Sequence, residues 1–264
     1  MEQEFVSSHG GTIAVTHLGD KNSALPHVIW GHGWDQSGAA LLPMAESLGR
    51  FAFSSLVDFP GFGRSPQPPE VWGTAEYADA IADWLRSLPP RQLIWVGHSF
   101  GCRVGLQVAA RHPGLLAGMV LIAAAGLPRR RSVRERLRLS LRRRAFKVAK
   151  AFVPEGPGRD RLRSRFGSAD YQAASAMRPI LVRVVNEDLG DIATKVNCPV
   201  LLVYGSADVD TPPELGARFQ ALIPKAELVV LDGFDHLGLL HRGRHQVVHN
   251  VQRFLKSLDR QGAR

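Results

Sequence analysis

The chain has 264 residues, 45% of them hydrophobic, with two cysteines and a formal net charge of +9. This length suits one large α/β domain, and no apolar run approaches the length that spans a bilayer. Cys102 and Cys198 stand too far apart to read as a disulfide framework, and the first residues lack a basic stretch followed by an apolar one, so a reducing cytoplasm is expected.

Short apolar runs alternate with longer helix-like ones, the pattern of a mostly parallel sheet covered by helices. Strands are expected at Thr12–His17, His27–Trp30, Phe51–Asp58, Leu93–Val96 and Leu115–Ile122, and again at Val200–Tyr204 and Leu228–Leu231. Several are apolar throughout, as strands buried on both faces are. Helices are expected at Ser37–Leu48, Thr74–Ser87, Phe100–Arg111, Glu214–Leu222 and Arg244–Leu258. Thr74 offers a cap to the second, and Pro89–Pro90 and Pro113 stop two of them. Between Ala124 and Asp191 the alternation breaks. Arg-rich helical periodicity, a Pro154–Gly158 loop and a helix-like run at Ala169–Val185 take its place. The organisation expected is therefore a core over 1–125, an inserted helical segment over 126–190, and a second core part over 191–264.

The strongest local signal is Gly97-His98-Ser99-Phe100-Gly101, because a buried strand precedes it and a helix follows. Such a turn forces its serine into a strained backbone, while glycines on either side permit close approach. The hydroxyl then stands above the strand end, facing helix amides. Left alone, G-x-S-x-G recurs by chance and Ser99 reads equally as a helix cap. A serine nucleophile needs a base, and His236 follows a late strand on the side where loops of a parallel sheet converge. Asp208 follows the preceding strand and is the expected acid, orienting the imidazole. Asp210 is its rival, while Asp235 adjoins His236 and reads as a turn residue. Donors for an oxyanion are expected from the backbone amides of Trp34 and Phe100. His32 reads as a turn residue that holds its loop by hydrogen bonds. His241, His245 and His249 recur every fourth residue, but no further ligand joins them, and a solvated face is the simpler reading than metal.

Four segments in order resemble the α/β-hydrolase superfamily: His32-Gly33-Trp34, the oxyanion loop; Asp58-Phe-Pro-Gly-Phe-Gly-Arg-Ser65; the Gly97–Gly101 elbow; and Gly205-Ser-Ala-Asp208 with Asp235-His236. The resemblance covers nearly the whole chain. It implies the α/β-hydrolase fold, with a mostly parallel eight-stranded sheet and a helical lid after the sixth strand, and it implies no cofactor. Ser99 separates the chain from haloalkane dehalogenases and epoxide hydrolases, which carry aspartate there. The wording is similar to small carboxylesterases and to carbon–carbon hydrolases of aromatic degradation. Cys102 departs from the pattern where a second glycine is common, as does Leu237 where an aromatic is often seen.

The expected activity is hydrolysis of a carboxylic ester or thioester through an acyl-enzyme on Ser99. Two rivals stand beside it: cleavage of a carbon–carbon bond next to a ketone, which uses the same triad, and a non-catalytic ligand-binding protein of the same fold. The basic charge is concentrated in residues 129–165, with fifteen Lys/Arg against three acids; the remainder holds eighteen against twenty-one. Leu137, Leu141, Ala145, Val148 and Phe152 recur there at helical spacing. Besides a small-molecule acyl substrate, this segment suits an acidic acyl carrier or an anionic membrane surface. Nucleic acid is not expected, because no binding motif accompanies the charge.

Overall fold

The computed structural model describes residues 1–128 and 175–262. The expected Arg-rich helix, the Pro154–Gly158 loop and most of the Ala169–Val185 run lie outside them. Eight strands form one sheet: β1 Glu2–Ser8, β2 Gly11–Leu18, β3 His27–Gly31, β4 Phe53–Asp58, β5 Leu93–His98, β6 Gly118–Ile122, β7 Val200–Gly205 and β8 Ala226–Leu231, in the order β1-β2-β4-β3-β5-β6-β7-β8. β1 runs antiparallel to β2, and β2 to β4; every other neighbouring pair is parallel.

The helices are α1 Leu42–Ser47, α2 Thr74–Ser87, α3 Phe100–Arg111, α4 Arg178–Asn186, α5 Gly190–Ala193, α6 Pro213–Leu222 and α7 Arg244–Gly262. In β3, β5, β6 and β7 every residue is buried, so both faces must be covered, and alternate side chains go to opposite layers. Val28, Trp30, Val96, Ile122 and Val203 pack with Met44 of α1, with Leu48 just after it, and with Val247, Val251 and Leu255 of α7. α2 and α3 pack on each other, α3 against β5, and α6 against β7 and β8. The chain divides into two compact units, Met1–Leu127 with Arg183–Arg264, and Pro128–Val182. Of the second, Pro128 and residues 175–182 are described, holding a 3-10 turn at Ser175–Met177 and the first turns of α4.

Several expectations shift. β1 was not expected; its side chains are mostly exposed, so no burial pattern marks it. The strand at Leu115–Ile122 starts later, at Gly118, because Gly114 (φ +83°) makes a turn in which the Leu115 amide bonds the His112 carbonyl. The Ser37–Leu48 run divides into a 3-10 turn, Gly38–Leu41, and α1, with Pro43 in the first turn of α1. Gly73, not Thr74, is the cap residue of α2, and the Glu76 side chain accepts its amide at 2.8 Å. α7 continues past Leu258 to Gly262. Among the described residues no helix is long and apolar enough to cross a membrane.

The strand order reverses beside β3, with β4 on one side and β5 on the other. In open parallel sheets the crevice beyond such a reversal collects the loops that bind ligands. The loops after β3 and β5 carry His32–Trp34 and Ser99.

Candidate active site

Ser99 joins β5 to α3 with φ +49° and ψ −103°, a conformation that L-residues avoid. Its side chain makes no capping bond to α3, which removes the reading of Ser99 as an ordinary helix cap. The glycines of the motif are needed for space. A Cβ on Gly97 would lie 2.7 Å from the Gly101 backbone, and one on Gly101 would lie 2.1 Å from the Gly31 carbonyl oxygen. The elbow is therefore pressed onto β3, and the Gly101 amide donates to the His32 carbonyl at 2.9 Å. Cys102 suits this packing: its thiol is buried and donates to the Gly97 carbonyl at 3.1 Å.

Trp34 and Phe100 stand edge to face, ring centroids 5.6 Å apart, and Phe62 touches both rings. Neither the Trp34 nor the Phe100 amide has a hydrogen-bond acceptor among the described residues. The loop that carries Trp34 is fixed from two sides. Gln36 Oε1 accepts the Gly33 amide at 2.9 Å. His32 donates from Nδ1 to the Gly33 carbonyl at 2.7 Å and accepts the Phe59 amide at Nε2, 3.1 Å away. Burial pushes His32 down to about 4, against the opposing pull of the Gly33 carbonyl and Asp58, so it is a neutral strut, as its turn position suggested. Asp58 binds the next loop: Oδ1 accepts the Gly38 amide at 2.8 Å and Oδ2 the Arg64 amide at 3.0 Å. Ser65 closes that segment by donating to the Asp58 carbonyl at 2.6 Å. The Asp58–Ser65 motif is thus scaffolding beneath the His32–Trp34 loop.

Asp208 follows β7 and His236 follows β8. Asp208 Oδ2 accepts from His236 Nδ1 at 2.8 Å. The Asp208 side chain has no exposed surface, and that of His236 is 17% exposed. Oδ1 of Asp208 accepts the amides of Asp210 and Thr211, each at 2.8 Å, and Oδ2 also accepts the Thr211 hydroxyl at 2.7 Å. Burial alone would raise this carboxyl; hydrogen bonds from His236 and the Thr211 amide outweigh it and hold Asp208 below its ordinary value. Asp210 is exposed and takes no part in the His236 Nδ1 bond. Asp235 accepts the Gly238 amide at 2.6 Å, a turn role. Asp208, Asp210 and His236 offer ligand atoms within 4.8 Å of one another, but the two Asp208 oxygens already accept four hydrogen bonds, so little lone-pair capacity is left for an ion. His245 and His249 lie exposed on α7, with His241 exposed just before it.

The β5 and β8 loops meet through His98 and His236, whose ring centroids are 4.9 Å apart. No hydrogen bond joins the Ser99 hydroxyl to His236 among the described residues; catalytic contacts of this kind often close only around substrate. Two residues escaped the sequence reading. Thr211 sits three residues after Asp208, where Asp-x-x-Thr is a recognisable turn signal. His98 lay in plain view within the elbow, but nothing in its position along the chain points to His236.

A chain with this elbow, sheet and buried Asp–His pair is a hydrolase, and it belongs to the alpha/beta hydrolase family, whose sequence model matches residues 28–249. It is 28% identical over 234 residues to the pimeloyl-[acyl-carrier protein] methyl ester esterase of Chromobacterium violaceum, covering 81% of this chain and 89% of that one. It is 27% identical over 226 residues to the 2-(acetamidomethylene)succinate hydrolase of Mesorhizobium japonicum, covering 80% and 81%. The solved structure of a bacterial membrane phospholipase A superposes with a TM-score of 0.76 at 23% identity, over 98% of this chain and 86% of that one, a likeness of fold.

Proposed function

We propose that the chain cleaves a carboxylic ester or thioester through an acyl-enzyme on Ser99. The observation that carries this reading is the buried Asp208–His236 pair, 2.8 Å apart, whose imidazole lies 4.9 Å from the ring of His98, the residue before a serine held at φ +49°. In the reaction, Ser99 Oγ attacks the carbonyl carbon and its proton passes to His236 Nε2. Asp208 holds the opposite ring nitrogen and stabilises the imidazolium. The carbonyl oxygen, now an oxyanion, accepts hydrogen bonds from the Trp34 and Phe100 amides. The tetrahedral intermediate collapses, and the alcohol or thiol leaves with the proton from His236. Water then gives a proton to His236 and attacks the acyl carbon. The acid is released, and the proton returns to Ser99.

The similarity to an esterase named for an acyl-carrier substrate supports an ester of a carrier-bound acid. In this reading residues 126–190 are the lid insertion, and the Arg142–Arg144 run attracts an acidic carrier. The two free cysteines fit operation in the cytoplasm.

A fluorophosphonate probe tests the chemistry: it is expected to label Ser99 in the native chain and not in Ser99→Ala, which loses turnover of p-nitrophenyl esters. Full turnover in Ser99→Ala ends the reading. A vinylogous diketone assayed in parallel separates ester from carbon–carbon cleavage. Neutralising Arg142–Arg144 is expected to slow a carrier-bound ester and spare a small one; equal effects on both count against the carrier.

A further inference from the structure

We propose that His98 is a positioning residue for His236, holding the base loop by its backbone while Asp208 holds it by its ring. This rests on the reading of Ser99 and His236 as nucleophile and base. His98 is the last residue of β5, 1% exposed, and its ring lies against that of His236 at 4.9 Å. Its Nε2 is 3.3 Å from the His236 carbonyl oxygen. A carbonyl only accepts, so Nε2 must carry the hydrogen and Nδ1 the lone pair.

The other edge of the ring fixes its orientation. Nδ1 is buried and has no partner among the described residues. It faces the oxyanion loop, for a Cβ added to Gly33 would lie 2.8 Å from it. One imidazole therefore fills the space between the loop that carries Trp34 and the loop that carries His236. The base loop is tied on its other side by the Phe234 carbonyl, which accepts the Ala207 amide at 3.0 Å. His98 supplies the matching tie on the β5 side. With both in place, the loop is held to β5 as well as to β7.

The same burial keeps the ring uncharged. Desolvation, aided by the neighbouring His236 and His32 and opposed by the His236 carbonyl and Asp208, lowers His98 to about 3. A neutral neighbour places no second positive charge beside His236 when that ring accepts the Ser99 proton.

The test compares His98→Phe, which keeps a ring and loses the donor, with His98→Gln, which keeps an N–H near the Nε2 position. With a short p-nitrophenyl ester, His98→Phe is expected to lower kcat by about 10- to 100-fold with KM changed less than about 2-fold, the cost of a misplaced base. His98→Gln is expected to recover most of the loss at equal thermal stability. In the native chain, 15N spectra are expected to show His98 with a protonated Nε2 and a bare Nδ1, a measurement that needs no variant to fold. A His98→Phe enzyme with native kcat, a Gln variant no better than Phe, or a protonated Nδ1 with bare Nε2 overturns the proposal. Ser99→Ala run in parallel separates the two levels. If it is inactive while His98→Phe is normal, only the role of His98 falls; if it keeps turnover, the catalytic reading fails and takes this inference with it.

Discussion

The carboxylate of Glu187 caps a helix that begins with Thr74, 113 residues earlier in the chain. Its oxygens accept the Thr74 amide at 3.0 and 3.3 Å and also the Thr74 hydroxyl, which in turn accepts from Gln107 at 3.1 Å. The neighbouring Arg183 pairs with Glu76 in the first turn of the same helix. A cap normally comes from the residue just before the helix; here that residue is Gly73, whose missing side chain leaves room, since a Cβ there would lie 2.3 Å from Glu187 Oε1. Replacing Glu187 with alanine is expected to cost about 1–2 kcal/mol, as a lost cap does, and to lower the melting temperature by a few degrees. A melting curve unchanged in Glu187→Ala would show that the cap contributes nothing.

Asp208→Asn keeps the shape of the acid and removes its charge. On the proposed mechanism the carboxylate both orients and stabilises the His236 imidazolium, and kcat at neutral pH is expected to fall by about 10³- to 10⁴-fold. The same change has a signature in stability. The native carboxyl lies below its ordinary value, so its contribution is present above the unfolded value and is lost as pH falls through the native one. The gap in melting temperature between wild type and Asp208→Asn is therefore expected to be widest near neutrality and to narrow in acid. A gap independent of pH would contradict the assignment.

Three buried histidines make the fold sensitive to mild acid. Burial lowers His27 and His98 to about 3 and His32 to about 4, from an ordinary 6.5. The unfolded chain takes up protons at these residues below pH 6.5 and the native chain does not. Stability is thus fully present above that pH and declines until the native values are reached. Three protons correspond to a slope of at most about 4 kcal/mol per pH unit. Urea unfolding at pH 7, 6 and 5 is expected to show a steep decline well before the carboxylates titrate; equal stability at all three is the contrary result.

In β4, the Ser55 hydroxyl lies between His17 Nδ1 at 2.7 Å and His27 Nε2 at 2.6 Å. Ser55 is fully buried. Ser55→Ala strands two imidazole nitrogens and is expected to cost about 1–3 kcal/mol in denaturant titration, while kcat and KM stay native because no active-site loop is touched. Loss of kcat at full stability would be the surprise.

How far the sequence could be read depends on what each residue answers to. β3, β5 and β7 were legible because strands buried on both faces are apolar at every position. β1 was not: it is held by its register with β2, Glu2 opposite His17 and Phe5 opposite Ala14, and its exposed side chains carry no pattern. In the site, Ser99 and the glycines around it were legible because a tight turn imposes its needs on adjacent residues. Asp208 is preferred to Asp210 in the sequence for its closeness to a strand end, and in the structure its Oδ2 lies 2.8 Å from His236 Nδ1. His98 and Glu187 act across gaps of 138 and 113 residues. Such partnerships exist only once the sheet has assembled, and nothing local to those residues marks them.

The Leu189 amide donates to the Gly126 carbonyl at 2.8 Å. The chain leaves the sheet at one end of this bond and returns at the other, so the two departure points are clasped whatever lies between them. Lengthening a loop between pinned ends costs only about 0.6 kcal/mol for each doubling. Glu187 and Arg183, near the return end of that stretch, stay tied to α2 whatever its length. A change of length between the two pinned ends therefore costs the sheet behind the clasp little.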